Sequence, residues 1–194
     1  GGAQVIAVAR TVGGLEDLDD AIKAAGGPGA VLVPLDICDD AGLSRLGGAI
    51  HQRWGRLDLW AHTAASAPML SPAEHVEAKE LDTAIAVNLR ATQRLIRVLD
   101  PLLRLAQGGR AVFFHDTRSS TPFNSAYLST KIAQQVLVDT WKAEIESATS
   151  VRIIQATPPP MRTGLRAKWH PGEDTSALAA PINVAEKIVS ALHN

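Results

Sequence analysis

Short apolar segments alternate along the chain with longer segments of helical periodicity. Runs rich in branched apolar residues predict buried strands at 4–9, 30–36, 57–62, 110–115 and 151–156. Apolar residues spaced three and four apart predict helices at 15–27, 41–54, 80–107, 125–146 and 183–192. Strands that alternate with helices are typical of a parallel sheet with helices on both faces. We therefore predict an α/β fold, in a single domain over residues 1–194.

Prolines and glycines set several boundaries of these elements. Pro101 is expected to kink or interrupt the long helix, because proline lacks an N–H and crowds the preceding turn. The prolines at 158–160 close the last strand, since proline cannot donate to a ladder. The glycine pair within 11–17 predicts a turn after the first strand.

Composition excludes several classes of function. The 194-residue chain is 46% hydrophobic and 20% charged, which is typical of a globular protein. Its net charge of −1 provides no basic surface for nucleic acid or anionic lipid, and no apolar run has the length of a membrane span. Cys38 is the only cysteine, so no internal disulfide can form. We predict a cytoplasmic protein without nucleic-acid or membrane partners.

Candidate chemistry lies where the strands end, because parallel sheets bind ligands at the carboxyl ends of their strands. Tyr127 begins the helix that follows the fourth strand, and Lys131 lies one turn later on the same helix face. A nearby ammonium lowers the pKa of a phenol, which suits a proton donor or acceptor. The same spacing also fits a packed tyrosine and a solvated lysine, and spacing alone does not separate the two.

Several motifs follow one another in a characteristic order. In chain order they are LVPLDICD, RWGRLDLWAH, VNLRAT with Asn88, GRAVFFH, AYLSTK and VRIIQATPPPMRTGLRA. This order resembles the short-chain dehydrogenase/reductase family over the whole chain. The resemblance implies a Rossmann-type, doubly wound parallel sheet in a three-layer α/β/α arrangement. It also implies an oxidoreductase that uses NADP or NAD and acts on a small-molecule carbonyl or alcohol.

The resemblance implies catalytic roles for three residues. Tyr127 would be the proton donor or acceptor, and Lys131 would lower its pKa and bind the nicotinamide ribose. Asn88 would hold a water molecule in the proton relay. A helix-interior amide such as Asn88 can instead bond to a neighbouring backbone group, and the sequence leaves both interpretations open.

The resemblance also implies contacts with the cofactor. Asp36 matches an acidic residue that contacts adenine, although it could instead cap the helix that begins near residue 41. Arg10 follows the strand that ends beside the adenosine ribose, and a guanidinium there favours NADP because it suits a 2′-phosphate. The ordinary alternative is an exposed loop arginine. The other implied cofactor contacts are Ile37, Thr63, Ala64, Lys131, Pro158 and Thr163.

The family serine is the first departure from this pattern. It aligns with Asp116 or, counted back from Tyr127, with Phe114, and neither is serine. A loop shift could let Thr117 or Ser119 supply a hydroxyl instead. An Asp116 carboxylate would raise the pKa of Tyr127 and so oppose Lys131.

Other site positions also differ from the family. Ala65 and Pro159 replace family glycines, so a Cβ and a proline ring take up space beside the cofactor. His62, His115 and Asp116 lie near strand ends but lack metal-ligand spacing, and we predict no metal.

The opening strand of the family and its Gly-rich turn are absent from the sequence. Segment 4–9 matches the second family strand, and the final family strand is also missing. In the family strand order 3-2-1-4-5-6-7, the first strand is central. The strands at 4–9 and 30–36 therefore lack a bridge to 57–62. We expect a fragment of a longer protein, or a sheet rebuilt around the gap.

Three functional hypotheses follow: an active oxidoreductase, a catalytically degenerate relative that binds or regulates, and an inactive fragment. The resemblance also implies a homo-oligomer formed through the helices that carry Asn88 and Tyr127. Apolar residues on those helices could form the interface or equally cover the sheet; they include Val98, Leu102, Val136, Leu137 and Trp141.

Overall fold

Five strands and seven α-helices alternate in the part of the protein that the computed structural model describes, residues 2–116 and 121–192. The strands are β1 (Val5–Ala9), β2 (Ala30–Pro34), β3 (Leu59–His62), β4 (Arg110–Phe114) and β5 (Arg152–Ala156). The helices are α1 (Val12–Ala24), α2 (Asp40–Trp54), α3 (Ala78–Ala84), α4 (Ala91–Arg104), α5 (Ser125–Ile145), α6 (Gly164–Trp169) and α7 (Pro181–Leu192). A short 3₁₀ helix spans Ala73–His75, and a π-helical segment, Ile85–Arg90, joins α3 to α4.

All strand pairs are parallel, as the alternation of strands and helices predicts. β1 pairs with β2, with Val5 opposite Ala30. β4 lies between β3 and β5, with Arg110 opposite Leu59 on one side and Arg152 on the other. Within residues 2–116 and 121–192, no strand joins the first pair to the other three. The predicted gap in the sheet is therefore present, and the described segments do not rebuild it.

One face of both strand groups contributes to a shared apolar core. Ile6 and Val8 on β1 belong to this core together with Trp60 on β3 and Phe113 on β4, and α2, α4 and α5 complete it. Neighbouring side chains of a strand point to opposite faces. The buried Ala7 therefore lies on the other face of β1, where α1 contacts the strand. This confirms the predicted arrangement of helices on both faces of the sheet.

The first helix begins earlier than the glycine pair predicted. α1 starts at Val12, so Gly13 and Gly14 lie in its first turn, and the predicted turn is wrong. Leu15 is buried and its N–H donates to Thr11 O, which fixes the start of the helix. The packing of one leucine thus overrides the weak local preference of two glycines.

The long helix continues through Pro101, and the predicted interruption is wrong. Pro101 lies inside α4, which ends at Arg104. An interior proline costs about 3 kcal/mol because it removes a hydrogen bond and crowds the preceding turn. Leu99, Leu102 and Leu103 surround it in the sequence and are buried in the core, and this burial offsets the cost. No helix of the described ranges is both long and apolar enough to cross a bilayer.

Adjacent glycines in α2 test the packing of this helix on α4. A Cβ at Gly47 would clash with Val98 Cγ1, whereas a Cβ at Gly48 would meet nothing. We expect Gly47→Ala to lower the free energy of unfolding by about 1–3 kcal/mol through overpacking. Gly48→Ala is the matched control and should raise it by about 0.5–1 kcal/mol, the usual gain in helix propensity. Equal effects in chemical denaturation would contradict this helix contact.

Candidate active site

The candidate site lies at the carboxyl end of β4, where α5 returns along the sheet. Tyr127 and Lys131 occupy the first two turns of α5 and are only 9% and 7% exposed. The interpretation of Lys131 as a solvated lysine is therefore wrong. Both side chains belong to the buried side of a helix that the apolar core fixes in place.

The ammonium of Lys131 is held by neutral oxygens. Its Nζ donates to Phe114 O at 2.8 Å, at the last residue of β4, and to Gln134 Oε1 on α5. Burial lowers the pKa of Lys131 to about 8, and the negative charge of Asp116 opposes this shift only in part. Lys131 therefore carries a desolvated positive charge at pH 7 that is lost in mildly alkaline solution.

Tyr127 packs in a small apolar cluster at the edge of the site. Its ring meets the Trp169 ring edge-on, with 5.0 Å between centroids. Trp169 in turn donates from Nε1 to Pro68 O at 2.9 Å, which ties α6 to the loop after β3. The gap beside Tyr127, lined in part by Met69 and Phe123, is too narrow for a water molecule.

Asn88 lies in the π-helical segment and is fully buried. Its Oδ1 accepts from Ser66 N at 2.7 Å, and its Nδ2 donates to Ser66 O and to Thr130 Oγ1, both at 2.9 Å. The side chain thus fastens the loop after β3 to α5. This is the backbone-bonding interpretation that the sequence left open, and it does not test the relay role.

A buried polar network extends from Lys131 toward β3. Gln134 Nε2 donates to Thr92 Oγ1 at 2.7 Å, and Thr92 Oγ1 lies 3.1 Å from His62 Nε2. Sequence reasoning missed Gln134 and Thr92. A signal was available, because the buried residues of α5 recur at helical spacing along one stripe: Tyr127, Lys131, Gln134, Val138 and Trp141.

The two histidines near Lys131 are held in the neutral form. Burial and, more weakly, the charge of Lys131 lower the pKa of His62 to about 4. The same two causes lower the pKa of His115. Neither of these two histidines therefore adds a positive charge beside Lys131 at neutral pH.

The residues expected to contact a cofactor lie beyond the carboxyl ends of β1, β2, β3 and β5. Arg10 and Thr63 are exposed, and Ala64, Pro158 and Thr163 are half-buried. Thr163 caps α6, because its Oγ1 accepts from Arg166 N at 3.2 Å.

Asp36 and Ile37 follow β2. Asp36 Oδ1 accepts from Cys38 N at 2.9 Å, and Asp39 is the residue before α2, so Asp36 does not cap that helix. Ile37 packs against the core. Asp116 lies close enough to affect Lys131, whereas the alternative hydroxyls of Thr117 and Ser119 lie outside the described residues.

The family model for short chain dehydrogenases matches residues 1–174 of this chain. The chain belongs to the short chain dehydrogenase family. A ketoacyl reductase from Nostoc sp. is 28% identical over 196 residues, which cover 99% of this chain and 67% of that protein. The chain spans about two thirds of the length of the curated relatives that it matches first.

Solved structures of this family have the same fold. A short chain dehydrogenase from Pseudomonas syringae superposes with a TM-score of 0.92 at 28% identity, over 98% of this chain and 79% of that one. A short chain dehydrogenase from Shigella flexneri, complexed with NADP, superposes with a TM-score of 0.92 at 24% identity, over 98% and 81%. The described segments of this short chain dehydrogenase thus form the family's Rossmann-type sheet.

The burial of His62 predicts a specific loss of stability in acid. Between pH 6.5 and pH 4 the unfolded chain binds a proton at His62 that the folded protein does not, so the free energy of unfolding falls as pH falls. We expect the wild type to lose about 1–3 kcal/mol more than His62→Gln across this range. Exposed His51 provides the control, and His51→Gln should follow the wild type. Parallel denaturation curves for wild type and His62→Gln would refute the assignment.

Proposed function

We propose that this short chain dehydrogenase interconverts a small-molecule carbonyl and the corresponding alcohol, with Tyr127 as proton donor or acceptor. The observation that carries the proposal is the desolvated ammonium of Lys131, one turn from Tyr127 at the carboxyl end of β4. Bound NADPH or NADH would supply the hydride for carbonyl reduction, and bound NADP⁺ or NAD⁺ would accept it in the reverse reaction. The protein's task is then to position the partners and to move one proton.

Lys131 makes Tyr127 a better proton donor. A free phenol holds its proton up to a pH of about 10 and is a poor acid at neutral pH. A positive charge nearby favours the phenolate, and it acts more strongly where water is excluded. Tyr127 would release its proton to the alkoxide that develops on the substrate, and would recover it in the reverse reaction. In this proposal Asn88 also holds a water molecule of the proton relay, as the resemblance implies, while it bonds to Ser66.

The residues at the strand ends suit the two ends of a dinucleotide. At the adenosine end, Arg10 lies just before the start of α1. A guanidinium and the N–H groups of a helix amino terminus both bind phosphate, so together they would suit a 2′-phosphate. This favours NADP, which is also the cofactor in the Shigella flexneri structure. Asp36 and Ile37 would contact adenine.

At the nicotinamide end, Lys131 would contact the ribose and Thr163 the carboxamide. Thr63, Ala64 and Pro158 would line the space between the two ends. Within the described ranges, no Gly-rich turn opens a helix beside this space to cradle a pyrophosphate. The proposal therefore assigns residues to both ends of the cofactor and to the space between them, but no turn that binds the pyrophosphate.

A second candidate function is a catalytically degenerate protein that binds a ligand without turnover. Two observations favour it: neither Asp116 nor Phe114, the two positions that align with the family serine, is serine, and the ring of Tyr127 is packed against Trp169. A carboxylate near a phenol favours the neutral phenol and so opposes Lys131. Binding of NADPH without turnover would support this candidate.

Of the residues predicted to form an oligomer interface, only some are exposed enough to do so. Leu102 and Trp141 are buried in the core, so they cover the sheet and cannot form an interface. Val136 is 59% exposed, and Leu137 lines an open groove of about 390 Å³ with residues of α4 and the π-helical segment. We propose that a second copy docks on this surface. Cytoplasmic location stays a prediction.

Removal of one hydroxyl tests the proposed chemistry. Tyr127→Phe keeps the ring against Trp169 but removes the proton, so we expect turnover of a carbonyl panel with NADPH to fall by about 10²–10⁴-fold. Quenching of tryptophan fluorescence by NADPH should be unchanged. Wild-type turnover that survives in Tyr127→Phe excludes this mechanism. Quenching without turnover in the wild type selects the second candidate.

A further inference from the structure

Gln134 is a fully buried amide that lies one turn beyond Lys131 on α5. Its Oε1 accepts from Lys131 Nζ, and its Nε2 donates to Thr92 Oγ1 at 2.7 Å. An ammonium has only donors, so the contact with Lys131 fixes which end of the amide faces it. Both ends of the amide are satisfied, as burial requires.

The hydrogen-bond balance at Thr92 extends this network to His62. Thr92 Oγ1 lies 2.9 Å from Asn88 O as well as 3.1 Å from His62 Nε2. A hydroxyl has one proton and two acceptor lone pairs. All its contacts are satisfied when Thr92 donates to Asn88 O and accepts from Gln134 and from His62 Nε2–H. Gln134 therefore joins Lys131 to β3 through α4.

The chemistry of position 134 determines the electrostatics around Lys131. The two acceptors of the ammonium among the described residues, Phe114 O and Gln134 Oε1, are neutral. The described titratable groups near Lys131 include Tyr127, one turn earlier on α5, His62 and His115, both neutral at pH 7, and Asp116. A carboxylate at 134 would add a second negative charge, and an apolar side chain would remove an acceptor. An amide provides an acceptor and adds no charge.

We propose that Gln134 is a positioning residue for Lys131: its carbonyl oxygen holds the ammonium at the end of β4, and its amide nitrogen anchors that arrangement to Thr92 and His62. The inference rests on the proposed function, in which Lys131 acts on Tyr127. It adds a residue that touches neither substrate nor cofactor and acts only through Lys131.

Titration of Lys131 in variants at position 134 tests this role directly. The chain has six lysines, so labelling with [ε-¹³C]lysine gives six resonances, and Lys131→Met assigns the one of interest. Gln134→Glu keeps the shape of the side chain and adds a charge, whereas Gln134→Met keeps its length and removes the acceptor. Gln135, the exposed neighbour, provides matched controls as Gln135→Glu and Gln135→Met.

The two variants should move the titration midpoint of Lys131 in opposite directions. Gln134→Glu should raise it by about one pH unit or more, because an opposite charge in contact favours the ammonium. Gln134→Met should lower it, and both Gln135 variants should leave it unchanged. A midpoint that stays fixed in both Gln134 variants, or moves the same way in both, overturns the proposal. If only one of the two Gln134 variants folds, the direction in which its Lys131 midpoint shifts decides for or against the proposal.

This readout separates the inference from the proposed function. The titration needs no turnover, so a protein without dehydrogenase activity still tests Gln134. In an active protein, the alkaline limb of the kcat profile should shift in the same direction as the Lys131 midpoint. If the protein is active but the titration midpoint of Lys131 is the same in both Gln134 variants, the proposed function stands and the positioning role of Gln134 is refuted.

Discussion

The candidate site depends on one buried ammonium and on the neutral oxygens that hold it. Lys131 donates to the last carbonyl of β4 and to Gln134, and burial lowers its pKa to about 8. A lone charge in an apolar environment is costly unless hydrogen bonds compensate it. Two such bonds come from described residues, and both of their acceptors are neutral oxygens. The negative charge of Asp116 offsets the desolvation of Lys131 only in part, so the ammonium keeps a strong local field.

Parallel strand geometry explains where this charge lies. Each strand of the β3–β4–β5 group ends at the same edge, and the chain returns through a helix whose first turns begin there. β4 is the central strand, so the segment that follows it faces loops from both neighbours. Asn88 fastens one of them, through Ser66, to Thr130 on α5. The packing of α4 and α5 in the core therefore holds the helix of the site in place, and a few side-chain contacts attach the neighbouring loop to it.

The sequence predicted the features that follow from local pattern. Strand order, the parallel pairing and the helix carrying Tyr127 and Lys131 all come from apolar periodicity. The sequence did not predict α6, and it predicted one helix at 80–107 where the structure has α3, a π-helical segment and α4. Start and stop residues were less predictable, because tertiary packing decided them: Leu15 anchors α1 ahead of its expected start, and core leucines carry α4 through Pro101. Gln134 could not be separated from exposed Gln135 by residue type. The helical stripe that runs through Tyr127 and Lys131 includes Gln134 and not Gln135, but only the packing of α5 on α4 brings Gln134 to its partner Thr92, 42 positions away.

The pH dependence of stability tests the burial of Lys131 most directly. Between pH 8 and about 10.5, the unfolded chain keeps the proton of Lys131 while the folded protein loses it. The free energy of unfolding of the wild type should therefore rise with pH relative to Lys131→Met, by about 1–3 kcal/mol across this range. Chemical denaturation at a series of pH values measures the difference. A difference that stays constant, or that falls as pH rises, would mean that the ammonium is not desolvated and would contradict the account.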